Sequence, residues 1–230
     1  MREHPFGCEM LAQLLRSGFV PALILEENSG AADVERAKFL ERIAGHPVGR
    51  SISQQALQYD IRILPVAAHR DEHCLAPIAE VGATLIVLGG TRIIRGDLLT
   101  VARDGVLNSH PGLLPECRGS ASPAWSVYHD IPIGSSCHFC SPEIDAGDLV
   151  GRREVPVHRG DRYQDLCYKT QVMAGSLMTE ALDNYFVGRL GMRRRPQGES
   201  PHPTFRNMPE ELLQVVYRKL RDQTYAHYVD

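Results

Sequence analysis

Asn108-Ser109-His110-Pro111-Gly112-Leu113-Leu114-Pro115 pairs two polar side chains with a proline that ends a strand. The run Gly105 to Leu107 leads into it and reads as the end of a short buried strand. Side chains alternate along a strand, so Asn108 and His110 project to the same face. Pro111 cannot donate to a ladder and turns the chain out of the sheet. An amide and an imidazole therefore share one surface at a strand's carboxyl end, where open α/β sheets bind their ligands.

Upstream of this strand, extended and helical patterns alternate, the signature of a parallel sheet covered by helices. Leu11, Leu14 and Leu15 give an early helix an apolar face that ends near Gly18, and Pro21 to Leu25 follow as a buried strand. Val34, Ala37, Leu40 and Ala44 recur at helical spacing before Gly45 and Pro47 stop that element. A strand at Ile61 to Val66, a helix around Leu75 to Val81 and a strand at Thr84 to Leu88 repeat the unit. Downstream come a short helix with Trp125, strands around Ser136 to Cys140 and Asp148 to Val157, and a long helix from Arg162 to Val187. Leu166, Met173, Leu177 and Ala181 stripe that helix. The fold class is α/β, a Rossmann-like, doubly wound and mostly parallel sheet.

The chain has 230 residues, enough for one packed core with a small appendage. The expected division is a catalytic domain over 1–190, a linker over 191–206 and a helical tail over 207–230. Arg193 to Pro201 is basic, bears Pro and Gly, and reads as an exposed linker. Asn207 is the expected cap of the tail helix, with Glu210 in the reciprocal position. Leu212, Leu213, Val216 and Leu220 give that helix a docking face.

Composition narrows the function. A formal charge of −3 gives no general basic field for nucleic acid. No apolar run is long enough to span a bilayer, and Met1 is not followed by a charged-then-apolar leader. The six cysteines are scattered, which fits free thiols in a reducing compartment. The expectation is a cytoplasmic protein without a nucleic-acid or membrane partner. Cys137-His138-Phe139-Cys140 has half a zinc-site spacing, but on a strand its two cysteines point to opposite faces and no second pair completes four ligands, so no metal is expected.

At these residues the chain resembles the 10-formyltetrahydrofolate-dependent formyltransferases, the family that includes glycinamide ribonucleotide formyltransferase and the catalytic domain of methionyl-tRNA formyltransferase. The family pattern Asn-x-His-Pro-x-Leu-Leu-Pro is met by Asn108, His110, Pro111, Leu113, Leu114 and Pro115, and Arg118-Gly119 also fits. Gly-x-Thr-x-His is met by Gly134, Ser136 and His138, with serine in place of threonine. Asp-x-Gly is met by Asp145 and Gly147, the aspartate lying seven residues after the histidine, 138 to 145. The resemblance covers about residues 84 to 187.

The resemblance implies an enzyme that takes a formyl group from 10-formyltetrahydrofolate. Formyl transfer to an amine passes through a tetrahedral intermediate whose oxygen turns negative, and a fixed donor there lowers the barrier. Asn108 and His110 suit that role, while Asp145 orients His110 and relays protons. His138 and Ser136 are expected to support them. By the same resemblance the folate is held largely by backbone groups of two loops. One is Leu88, Gly89, Gly90, Thr91, Arg92, Ile93 and Ile94; the other contains Pro142, Glu143, Ile144, Gly147 and Asp148.

Family members open with an apolar strand that is central in the sheet. Met1 to His4 is too short and polar to supply it, and Pro5-Phe6-Gly7 already reads as the turn after it. The expectation is a sheet that lacks this strand, or a native product that begins upstream. The purine enzyme's first-loop phosphate-binding glycines are absent, which disfavours glycinamide ribonucleotide, and the tail is too short for a tRNA-binding barrel. The acceptor is expected to be a small-molecule amine, on an amino sugar nucleotide or a modified amino acid, with its pocket shaped by Arg118 to Asp130 and the tail. Two alternatives stay open: a formyltetrahydrofolate hydrolase, and a catalytically silent folate-binding relative.

Overall fold

The computed structural model describes residues 1–69 and 72–230. In chain order its elements are α1 (Pro5–Arg16), β1 (Ile24–Glu27), α2 (Gly30–Arg42), α3 (Ile52–Gln58), β2 (Ile63–Val66), α4 (Leu75–Glu80) and β3 (Ile86–Leu88). They continue as β4 (Val106–His110), α5 (Ser122–His129), β5 (Gly134–Phe139), β6 (Leu149–Glu154), α6 (Tyr163–Phe186), α7 (Leu190–Arg193) and α8 (Glu210–Arg221).

Pro5-Phe6-Gly7 is the first turn of α1 rather than a separate turn. Proline at the first helical position has its φ preset and lacks an N–H that would go unpaired there anyway. α2 forms where expected but turns differently. Val34 and Leu40 are 52% and 41% exposed, while Ala32 and Ile43 are buried and Phe39 packs against the core. The bulkier Phe39–Ile43 pair, four residues apart, outweighs the Val34–Leu40 stripe for the inward face. α3 is a helix that apolar periodicity did not reveal; its signal is the capping box between Ser51 and Gln54. α8 starts at Glu210 with Pro209 at the cap position, and Asn207 instead accepts a hydrogen bond from Arg42.

The strands form two pieces. β1 and β2 pair in parallel, and β3-β4-β5-β6 form a second sheet in which β3 and β4 are parallel while β5 and β6 continue antiparallel. α6 lies against β4, β5 and α1, burying Leu107, Cys137, Leu177 and Met178 in one core. A second core joins α5, α6 and α8 through Val127, Ile133, Leu166, Val216 and Leu220. The tail helix therefore docks, and no helix of the described residues is long and apolar enough to cross a membrane.

No strand lies between β1 and β3 among the described residues. Their facing edges border a cavity of about 480 Å³, lined by Leu25, Ile86, Val87, Met10, Leu14 and Ile78 among others. Ile24 N–H bonds toward β2 and Ile86 N–H toward the chain entering β4, so Leu25 and Val87, one residue on, turn their backbone groups into the cavity. At the β1 edge, His69 donates to the Leu25 carbonyl at 3.0 Å and the Arg2 N–H reaches the Glu27 carbonyl at 2.8 Å. We expect the Val87 amide to exchange with solvent on the order of 100-fold faster than the Leu107 amide, which sits in a strand paired on both sides. Equal protection of the two amides by hydrogen exchange would contradict this edge.

Candidate functional site

The site is built on the β4–β5 ladder. Antiparallel register sets Asn108 opposite His138 and His110 opposite Ser136, so neighbours on one face come from both strands. Asn108 Nδ2 donates to His138 Nε2 at 3.3 Å and keeps a second amide hydrogen for another acceptor. Ser136 is fully buried and its hydroxyl accepts from the Leu114 N–H at 3.0 Å. Its part is to hold the turn after β4.

Asp145 enters from the loop between β5 and β6. It sits in the left-handed region at φ 51°, which aspartate tolerates better than most residues. Its Oδ2 accepts from the Gly119 N–H at 2.9 Å and lies 3.5 Å from His110 Nδ1, while Oδ1 lies 3.4 Å from His138 Nε2. Burial pushes this carboxyl up, but the positive charge that His110 and His138 bring when protonated, the His138 hydrogen bond and the Gly119 N–H overcome it and hold Asp145 well below the usual carboxylate range. The carboxylate is the ionised centre of the cluster.

Carbonyl partners assign the ring tautomers. His110 Nε2 is 2.8 Å from the Cys117 carbonyl and 2.9 Å from Ser122 Oγ, so it carries a hydrogen and Nδ1 is left facing Asp145. His138 Nδ1 likewise donates to the Phe139 carbonyl at 2.9 Å, which leaves Nε2 between Asn108 and Asp145. Both imidazoles thus turn a proton-accepting nitrogen toward one carboxylate. A proton placed on either nitrogen is held against Asp145, and the contacts are long enough to tighten when reactants enter.

The cluster opens into a cavity of about 780 Å³ that Asn108, His110, His138 and Asp145 all line. Leu88, Gly90, Thr91, Arg92, Ile93 and Ile94 border it on one side, and Pro142, Glu143 and Ile144 on another. Three expected binding residues lie outside that lining. Gly89 packs against Gly7 of α1, Asp148 pairs with Arg194 at 2.6 Å, and Gly147 sits over the Phe139 carbonyl. Arg92 is committed to the buried Glu27, its Nε 2.8 Å from Oε1, so the loop after β3 is anchored to β1 by its one charged side chain before Arg95. Cys137 lies in the core while Cys140 lines the cavity, so the two sulfurs do not converge.

A Cβ on Gly147 would collide with the Phe139 carbonyl. Gly147→Ala is therefore expected to displace the Asp145 loop and to destabilise the fold by about 1–3 kcal/mol, read from chemical denaturation. An unchanged midpoint would show that the loop gives way freely.

Several site residues carry no local signal in the sequence. Ser122 and the Cys117 carbonyl fix His110 from the segment after β4. Gln197, in the stretch before the tail helix, donates to the Asp145 and Gly147 carbonyls at 2.9 and 2.6 Å and accepts from Arg118 at 3.0 Å. Phe205 pairs with Gly119, which closes the chain around Asp145. Gln197→Ala is expected to loosen the carboxylate and lower turnover about tenfold, with a small change in melting temperature. Turnover at the wild-type level would remove Gln197 from the positioning network.

Residues 30–182 match the model of a family described as Formyl transferase. A methionyl-tRNA formyltransferase of Bacteroides thetaiotaomicron is 27% identical over 181 residues, which are 77% of this chain and 53% of that protein. The chain spans about half the length of such curated relatives. Among solved structures, glycinamide ribonucleotide transformylase 1 from Symbiobacterium toebii superposes with a TM-score of 0.63 at 22% identity, over 86% of this chain and 92% of that one. The formyltransferase PseJ from Anoxybacillus kamchatkensis, solved with UDP-4,6-dideoxy-4-formamido-L-AltNAc and tetrahydrofolate, has a TM-score of 0.54 at 17% identity, over 85% and 89% of the two chains. These likenesses extend to the fold.

Proposed function

Because the chain belongs to the formyl transferase family, we propose that it transfers a formyl group from 10-formyltetrahydrofolate to an amine of a small molecule, an amino sugar nucleotide or a modified amino acid. The observation that carries this reading is the convergence of Asn108, His110, His138 and Asp145 on one cavity. The volume, about 780 Å³, suits a drug-sized ligand. The fit is supported by the two loops that border it, since Arg92 is held by Glu27 and Gly90 adopts a positive φ of 69°, leaving the first loop to offer mainly backbone groups.

In formyl transfer a bond forms from the acceptor nitrogen to the formyl carbon, the bond from that carbon to the folate nitrogen breaks, and a proton passes from the amine to the folate nitrogen. Asn108 offers its spare amide hydrogen to the oxygen that becomes negative. Asp145 draws the amine's proton toward itself and the facing nitrogens of His110 and His138, which store and return it. His110 is held by Cys117 and Ser122, so its ring need not reorganise as charge moves. Asn108, His110 and Asp145 are the proposed catalytic residues, and His138 and Ser136 position them.

The test is to incubate the full chain with 10-formyltetrahydrofolate and a panel of amino sugar nucleotides and hydroxylated amino acids, following every component by mass. The expected result is one added formyl group on a panel member. Enzyme-dependent release of free formate, lost in His110→Ala, would replace the transferase by the hydrolase. Tight folate binding without turnover of any kind would point to a silent relative.

A further inference from the structure

The cavity extends well beyond the reacting cluster, to the last turn of α2 and the segment 204–207. Its charged side chains are Glu35, Arg42, Arg92, Glu143, Asp145 and Arg206, and most are committed. Arg92 is held by Glu27, Asp145 by the Gly119 N–H, and Glu35 by Lys38 at 2.9 Å. Arg42 touches only a neutral side-chain partner, Asn207 Oδ1, at 3.2 Å, and Arg206 shows no side-chain partner among the described residues. Arg36, the other arginine of α2, pairs with Asp33, and Arg118 is held by Gln197. Two guanidinium groups without a carboxylate therefore border one pocket, and both arrive by defined structure.

On α2, Glu35, Phe39 and Arg42 share one helical stripe facing the cavity, at spacings of four and three. On the other side, Gly119 joins the reacting cluster to the tail: its N–H meets Asp145, it pairs with Phe205, and Arg206 and Asn207 follow directly. Asn207 then meets Arg42. Two residues of extended chain span about 7 Å, so the backbone path from the Gly119–Phe205 bridge to Asn207 is short. His4 adds no opposing or like charge, because burial, the Met1 amino group, Arg42 and Arg36 push it down to about 3.

Resting on the formyl-transfer reading of this same site, we propose that Arg42 and Arg206 form a subsite for an anionic group of the acceptor, a phosphate or a carboxylate. Guanidinium groups bind either oxyanion through paired N–H donors. The amine is thereby placed toward Asp145 with its anion at the α2 end of the same cavity, and molecules lacking the anion are bound poorly. Arg42 comes from the family-matched segment and Arg206 from beyond it, so the subsite belongs to the way this tail folds back.

The test is calorimetric titration of the full chain, saturated with 5-formyltetrahydrofolate, with inorganic pyrophosphate and, separately, glutarate. Binding of at least one anion is expected, weakened about tenfold or more in Arg42→Gln and in Arg206→Gln, with affinity for the folate unchanged. Stronger binding of pyrophosphate assigns a phosphorylated acceptor, and stronger binding of glutarate an amino-acid carboxylate. Absence of binding by either anion up to about 10 mM, or equal affinity in wild type and in the R42Q/R206Q double variant, overturns the subsite. Arg206 is exposed, so its single variant keeps the test valid should Arg42→Gln disturb folding. Failure of the folate to bind while the anion effect persists would instead remove the formyl-transfer reading and leave the anion site standing.

Discussion

Asp145→Asn is expected to lower formyl transfer about a thousandfold while leaving folate affinity within a few fold of wild type. The amide matches the carboxylate in shape, and its oxygen can keep the Gly119 N–H bond, so the loop has no reason to move. What disappears is the negative charge between His110 Nδ1 and His138 Nε2. Without it a proton taken from the amine has no counter-charge. Steady-state kinetics with 10-formyltetrahydrofolate checks this, and a loss confined to KM would contradict it. His110→Ala should likewise abolish transfer and spare folate binding, since its ring contacts Asp145, Ser122 and the Cys117 carbonyl.

The same substitution has a pH signature. The folded-state carboxyl of Asp145 is depressed below its unfolded value, so it contributes stability that is fully present above the unfolded carboxylate range, near pH 4. That contribution is lost as the pH falls through the folded value. Denaturation midpoints measured from pH 5 downward should therefore drop more steeply in wild type than in Asp145→Asn. Parallel curves would show that the carboxylate is not held by its partners.

Asn108→Ala carries the second large effect, a loss of about 100- to 1,000-fold in turnover. One of its amide hydrogens already goes to His138, so the variant removes both the proposed donor for the developing oxyanion and the group that sets the His138 ring. Double substitution with His138→Ala separates the two contributions. If Asn108 acts only through His138, the double variant should match His138→Ala; if it also meets substrate, the double variant should fall below His138→Ala alone.

Local physics made part of this site legible. Alternation along β4 put Asn108 and His110 on one face, and both line the cavity. Pro111 marked the strand's end, and β4 indeed stops at His110. The same reasoning misjudged α2, where periodicity favoured Val34 and Leu40 but packing chose Phe39 and Ile43. Expected strand boundaries near Pro21 and Thr84 moved inward to Ile24 and Ile86, because pairing partners, absent from a one-dimensional reading, set where a strand begins. Met1 to His4 offers no apolar run, and among the described residues the sheet is divided between β1 and β3.

The α/β class, the two polar side chains at the end of β4 and the family follow from periodicity, proline chemistry and motifs close together in the chain. Which atoms meet depends on long-range packing. The register of β4 on β5 placed His138 beside Asn108, and the returning tail brought Gln197 to the Asp145 loop and Arg206 to the mouth of the cavity. These contacts join residues far apart in the chain, and their energies depend on burial and on distances of about 3 Å that no short window of sequence contains.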